Sequence, residues 1–267
     1  MSFRINTNLD ALQAYNALAK VNNDTIKAQL RLATQKRINT VADDTSGYRV
    51  GKELEGKVAI MKATQGNLNS AKNILSTAES ALSSINDLLT QIKGKVADAS
   101  DPTKNLTSLA NDINALGNEI SAMFVNTKFN ETALLSGASV PSGGNFAFRT
   151  GESETTTVNF GTLNTLNLGS ITGASSSNIT SISVSAIENS VRDALSSIGN
   201  YVQRFEVKDQ YLTSAITNAT ASVSRLFDTD MALEQLNATK GQIGQQVATA
   251  MLAQLNAGPS SLLSLFQ

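Results

Sequence analysis

Residues 50–98 read VGKELEGKVAIMKATQGNLNSAKNILSTAESALSSINDLLTQIKGKVAD, and no proline interrupts them. Leu54, Met61, Leu68, Leu75, Leu82, Leu89 and Val96 recur every seventh position, and all are apolar. Between them fall Val50, Lys57, Thr64, Ala71, Ala78, Ile85 and Ile92, so the two series alternate at the 4-3 spacing that forms one stripe on a helix. Lys57 and Thr64 weaken its early part. At 1.5 Å per residue, about 50 helical residues span roughly 75 Å, so this helix needs partners along its whole length.

Outward from this stretch, Ala99-Ser100-Asp101-Pro102 reads as a break, since proline does not continue a helix. Leu106, Leu109, Ile113, Leu116, Ile120 and Met123 then repeat the alternation, as an antiparallel helix would. Nearer the far end, Val184, Val191, Ile198, Phe205, Leu212, Ala219 and Leu226 form a second seven-residue series, accompanied by Ile187, Ala194, Tyr201, Lys208 and Ala215. Three helices can share one seam. The ends carry shorter stripes: Leu12, Tyr15, Ala19, Ile26, Leu30 and Ala33, and Leu233, Leu236, Ile243, Val247, Ala250, Met251 and Leu255. Each stripe needs cover; the most economical cover is the other, and the same stripes suit assembly between subunits equally well.

The vocabulary changes in residues 131–182, where glycines punctuate Ser/Thr-rich pieces. Alternation in Asn145-Phe146-Ala147-Phe148-Arg149-Thr150 and in Thr157-Val158-Asn159-Phe160 predicts short strands or hairpins. Phe146, Phe148 and Phe160 speak for packed structure over a low-complexity linker, which has little use for aromatic area. The fold class is thus mainly α with a small β region: a long antiparallel helical bundle, paired terminal coiled-coil helices and short β-hairpins.

Composition narrows the chemistry. The 267 residues include no Cys, His or Trp, and 21 Lys plus Arg stand against 22 Asp plus Glu for a formal charge of -1. Thiolate and imidazole catalysis, disulfides and nitrogen or sulfur metal sites are excluded. Neither sign forms a run that would track nucleic acid, and no stretch of about 18 apolar residues suggests membrane insertion. The start, MSFRINTNLD, lacks the apolar segment of a cleavable signal peptide. Asp43-Asp44-Thr45-Ser46-Gly47 offers too few converging oxygens for a cation and reads as an Asx turn or helix cap, with Asp44 or Ser46 satisfying the first amides of the long helix. Gly47, Gly51, Gly56 and Gly66 lack the ending of a phosphate loop; close approach of another chain is their expected use, with simple tolerance of glycine as the alternative. No catalytic residue, cofactor or metal site is expected, and the chain reads as a building unit, not an enzyme.

Several motifs carry a family resemblance. Ile5-Asn6-Thr7-Asn8 opens the chain; Arg37-Ile38-Asn39-Thr40-Val41-Ala42-Asp43-Asp44-Thr45-Ser46-Gly47 follows; Asn126-Thr127-Lys128-Phe129-Asn130 leads to Leu134-Leu135-Ser136-Gly137. At the far end stand Gln242-Ile243, Ala253-Gln254-Leu255-Asn256, Pro259 and Leu262-Leu263-Ser264-Leu265. In these the chain resembles bacterial flagellin over about residues 1–137 and 185–267, in a short form without large variable outer domains. Arg37, Asn39, Asp43, Asp44, Gly47, Phe129 and Asn130 are the motif positions.

The resemblance implies a homopolymeric subunit of the hollow helical flagellar filament used for swimming. It implies export through the flagellar secretion apparatus without a cleaved signal peptide, with an export chaperone, the filament cap and hook-junction proteins as partners, and an extracellular destination. Residues 1–45 would be the N-terminal inner helix and connector, 46–130 the long central helices, 131–182 a short β-rich region, 183–228 the returning helix and 229–267 the C-terminal inner helix. The termini would pair into one inner domain and the middle segments into one outer domain. The family is also a ligand of a vertebrate innate immune receptor; the matching segment here contains Leu89, Gln91, Lys93, Gly94 and Lys95. Receptor-activating members have Arg, Glu and Leu where this chain has Gln91, Gly94 and Lys95, so strong activation is not expected. A hook–filament junction protein and an exported helical adhesin or binding module are the alternatives.

Overall fold

The computed structural model describes residues 8–135, 145–160 and 168–265, with side chains as far as Ala257. Six α-helices are described: α1 (Leu9–Thr34), α2 (Thr45–Asp98), α3 (Leu106–Asn126), the single turn α4 (Gly169–Thr172), α5 (Ser185–Phe227) and α6 (Met231–Leu265). The strands are β1 (Lys128–Phe129), β2 (Thr132–Ala133), β3 (Asn145–Arg149) and β4 (Thr155–Asn159). The chain divides into a terminal unit, Met1–Gly56 with Asn218–Gln267, and a bundle unit, Lys57–Thr217.

In the bundle unit the 4-3 stripe of α2 is the core. Leu68, Ala71, Leu75, Ala78, Leu82, Ile85, Leu89 and Ile92 are fully buried, and Met61 and Val96 pack against them partly covered. Thr64, a weak point of the pattern, is buried too, and its hydroxyl is satisfied by donating to the Ile60 carbonyl at 2.9 Å. Val191, Ala194, Ile198, Phe205 and Leu212 supply the facing stripe of α5. At about 1.5–3 kcal/mol for each large side chain removed from water, this seam is the main stabilising term of the unit.

The turn after α2 falls where proline predicts it. Asn105 caps α3 by accepting from the Thr107 and Ser108 amides at 3.0 and 3.1 Å. The buried face of α3 differs from the expected one: it runs through Ala110, Ile113, Gly117, Ile120 and Phe124, while Leu106, Leu109, Leu116 and Met123 stay half-buried at its margin. Gly117 explains the rotation, because a β-carbon there would press on Ile171, whose segment lies across the helix. Asn114 fixes that segment, donating to the Ala174 carbonyl and accepting from the Ala174 amide, both at 2.8 Å.

The region expected to be β-rich is only partly so, since α4 and a 3-10 turn at Ile179–Ser181 follow the strands. β3 and β4 pair antiparallel, with Phe146 opposite Val158 and Phe148 opposite Thr156. Their inner face joins Phe146, Phe148 and Phe160 to Phe205 and Tyr201 of α5 through ring contacts of 6.0–6.5 Å. Those aromatics are packed structure, as their area predicts. β1 and β2 form a two-residue hairpin whose turn, Asn130-Glu131, has φ of 48° and 64°. Both central residues with positive φ match the twist of a tight hairpin, and asparagine tolerates that region well.

In the terminal unit α1 and α6 pair antiparallel. Asn8 Oδ1 accepts from the Ala11 amide at 3.1 Å and caps α1, while its Nδ2 donates to the Leu255 carbonyl at 3.3 Å. That carbonyl has a reason to be free: α6 continues through Pro259, whose missing N–H is the one that would have bonded Leu255. Of the quoted motifs, Ile5, Asn6, Thr7, Ser136 and Gly137 lie outside the described residues, as do the side chains of Pro259 and the tail leucines.

Candidate assembly interface

Two stripes compete for the inner face of each terminal helix, and the smaller one wins. On α1 the covered positions are Ala11, Ala14, Leu18, Val21, Thr25, Ala28 and Leu32; on α6 they are Glu234, Ala238, Gly241, Gly244, Gln245, Ala248 and Leu252. A β-carbon at Gly241 would collide with the Thr25 side chain, and one at Gly244 would lie 3.2 Å from Val21. These small residues let the Cα atoms of the two helices approach within 8 Å repeatedly, which the bundle helices rarely do. Polar bonds mark the register: Arg31 pairs with the buried Glu234 carboxylate at 3.1 Å, and Gln245 donates to Asn22 at 2.9 Å.

The expected stripes therefore do not cover each other. Leu12, Tyr15, Ala19, Ile26, Leu30 and Ala33 lie exposed on α1, as do Leu233, Leu236, Ile243, Val247, Ala250, Met251 and Leu255 on α6. Tyr15 and Leu236 retain 61% and 64% of their accessible surface. The reason is steric. Both stripes fit the helical repeat, but only Ala, Thr and Gly allow the close backbone approach that the pair adopts. Single exposed apolar residues are ordinary, whereas two continuous rows on neighbouring helices make an extended apolar surface that the described chain leaves uncovered.

The motif residues build the connectors of the same unit. Arg37 donates through Nη2 to the Leu226 carbonyl at 3.0 Å and through its amide to the Phe227 carbonyl at 2.6 Å. The Thr229 amide returns a bond to the Gln35 carbonyl at 3.1 Å, and Gln35 turns the chain at φ 58°. Asn39 Nδ2 donates to the Lys36 carbonyl at 2.9 Å. Asp43 Oδ2 accepts from the Asn39 and Thr40 amides and the Thr40 hydroxyl, at 3.1, 2.9 and 3.1 Å; the Thr40 amide bond chiefly holds its carboxyl below the usual range. Asp44 accepts from the Gly47 amide at 2.8 Å and caps α2. The Asx turn and cap read from these residues are thus present.

Gly51 is tight as well, because a β-carbon there would strike the ring of buried Phe227. Tyr48 meets that ring edge-on at 6.1 Å, and the Lys36 and Lys52 ammonium groups lie 5.6 and 6.0 Å from its centre. Gly47 and Gly51 are tight against residues of their own chain, while Gly56 and Gly66 face open space. Phe129 and Asn130 belong to the β1–β2 hairpin of the bundle unit. There, too, Leu89 is core, Gln91 and Gly94 are exposed, Lys93 pairs with Glu188 at 3.2 Å and Lys95 with Asp112 at 2.6 Å.

Missed from the sequence were the small-residue seam and the Phe227 joint. The seam did have a signal, since Ala11, Ala14, Leu18, Val21, Thr25, Ala28 and Leu32 keep a 3-4 spacing beside the larger α1 stripe. Among the described residues no group of three His, Cys, Asp or Glu side chains can hold a metal ion, and no helix is long and apolar enough to cross a membrane.

The described residues thus form a terminal helix pair with outward apolar rows and a helical bundle. Comparison with known proteins shows the class to which such a chain belongs. The bacterial flagellin N-terminal helical region matches residues 5–140, and the bacterial flagellin C-terminal helical region matches residues 182–266. The flagellar filament 30.7 kDa core protein of Treponema maltophilum is 27% identical over 98% of this chain and 99% of its own length. The flagellar filament core protein flaB2 of Brachyspira hyodysenteriae is 28% identical over 98% of this chain and 99% of its own, and a flagellin of Bordetella bronchiseptica is 45% identical over 27% of this chain and 18% of its own. The chain belongs to the bacterial flagellin family. It is a self-assembling structural subunit of the flagellar filament, and serves motility there.

Proposed function

We propose that the terminal unit is the inner domain of the filament, that the bundle unit is the domain around it, and that the two outward apolar rows are the surfaces through which copies join. The observation that carries this reading is the exposure of Leu12, Tyr15, Ile26, Leu30, Leu233, Leu236, Ile243, Val247 and Met251 on helices already satisfied by a smaller seam. Burial of each large side chain is worth about 1.5–3 kcal/mol, and helical symmetry repeats the gain at every subunit. A heterologous contact that does not close into a ring extends into a filament.

The test is seeded polymerisation of Leu236→Asn and Val247→Asn, followed by electron microscopy. Filaments are expected to be lost while circular dichroism of the free chain is unchanged; normal filaments from both variants would overturn the assignment. The proposal extends to export outside the cell through the flagellar secretion apparatus, without signal-peptide cleavage, and to engagement of an export chaperone, the filament cap and hook-junction proteins.

For the innate immune receptor the reading is weak activation. Besides carrying Gln91 and Gly94, the segment has both of its lysines engaged, with Glu188 and Asp112. A cell reporter assay with purified monomer checks this, and potent activation would refute it.

A further inference from the structure

Met251 stands in the outward row of α6, one helical turn from Val247 and from Leu255, with 60% of its surface exposed. The other described methionines differ. Met61 and Met123 pack half-buried against the bundle core, and Met231, 41% exposed, opens α6 ahead of the row. A thioether is apolar and adaptable, which suits a contact face, but an accessible one is also the side chain that a peroxide oxidises.

We propose that Met251 is a modification site at which a peroxide blocks assembly of the free subunit. A sulfur lone pair attacks one peroxide oxygen; the S–O bond forms as the O–O bond breaks, and the departing hydroxide takes the remaining proton and leaves as water. Sulfur loses two electrons and the peroxide gains them. In the free chain the new sulfoxide oxygen points into water and the fold is unaffected. Between copies it is a strong acceptor on an apolar row whose neighbouring members, Ile243, Val247, Ala250 and Leu255, carry no side-chain donor to satisfy it. A thiol-dependent sulfoxide reductase reverses the step, so the block is a switch rather than a lesion. The inference rests on the reading that this row is buried between copies.

The full-length chain is treated with hydrogen peroxide, mapped by peptide mass and followed by seeded polymerisation. Oxidation of Met251 is expected to raise the critical concentration at least about tenfold, the effect of burying one unpaired acceptor, with circular dichroism unchanged. Met251→Leu, compared with its own untreated baseline, should lose no further polymerisation on peroxide treatment, whereas Met231→Leu should stay sensitive. In preformed filaments Met251 should oxidise at least about tenfold more slowly than in the free chain, as burial of its sulfur requires. Peroxide sensitivity retained in Met251→Leu would overturn the proposal. Met251→Gln and Val247→Asn separate its failure from that of the assembly reading. If both polymerise normally, the buried row is wrong; if both fail while the oxidised parent polymerises, only the redox switch is wrong.

Discussion

The bundle unit and the terminal pair use the same helical repeat in opposite ways. In the bundle, Leu, Ile and Phe fill the seam and are fully buried, and their bulk holds the helices apart. In the terminal pair, Ala, Thr and Gly occupy most of the seam beside Leu18, Val21, Leu32 and Leu252, the backbones close up, and the larger rows with Leu, Ile, Val, Tyr and Met face outward. The first arrangement spends its apolar surface on the stability of one chain. The second leaves that surface uncovered in the single chain.

The largest effect should come from truncating matched leucines on the two sides. Leu82→Ala, at a fully buried position, is expected to cost the bundle about 2–5 kcal/mol in urea unfolding. Leu236→Ala should change free-chain stability by less than about 0.5 kcal/mol, as exposed positions do, while lowering polymerisation. An equal loss of stability from both would erase the distinction between the units.

Glycine substitutions sharpen it further. Gly241→Ala is expected to destabilise α1–α6 pairing by about 1–3 kcal/mol, because the added carbon meets Thr25 across the seam. Faster hydrogen exchange along α1 would report it. Gly56→Ala and Gly66→Ala, facing open space within α2, should stabilise by up to about 1 kcal/mol and serve as controls. A smaller loss, about 1 kcal/mol, is expected for Asn8→Ala, which removes the α1 cap and frees the carbonyl opposite Pro259. Exchange at the first turn of α1 and around Leu255 should rise together.

The smallest effect concerns acid. Asp209 is held below the usual carboxylate range first by the Gln65 amide and then by Lys72, at 3.0 Å each. A depressed carboxyl stabilises the fold fully above its unfolded value near pH 4, and that share disappears as pH falls through its lower folded value. Both groups are partly exposed, so solvent screening keeps the contribution small. Asp209→Asn should flatten the acid limb of bundle stability and leave polymerisation at neutral pH unchanged, as measured by urea unfolding from pH 2 to pH 6.

The connectors sit between these extremes of legibility. Asp44 as a cap and Asp43 in an Asx turn follow from side-chain chemistry and spacing, since a short acidic side chain ahead of a helix reaches amides two or three residues on. That Gly51 must stay small for Phe227, a residue far away in the chain, follows from no local rule. The displaced face of α3 had the same origin: Gly117 is buried because Ile171 lies on it, and a hydrophobic pattern assigns no weight to glycine.

Local chemistry determined much of this protein: a composition without cysteine or histidine, the length of α2, the break at Pro102, the caps and the aromatic hairpin. Each depends on neighbours a few residues away, or on composition, and is written in the chain directly. Only the tertiary structure decided which of two adjacent stripes on α1 and α6 became the intramolecular seam. Successive residues on a helix differ by about 100°, so two neighbouring rows both satisfy a 3-4 spacing. Hydrophobicity measures the tendency to leave water and not the surface that will provide cover. The distance at which two backbones could meet settled that choice, and small side chains permitted the shorter one.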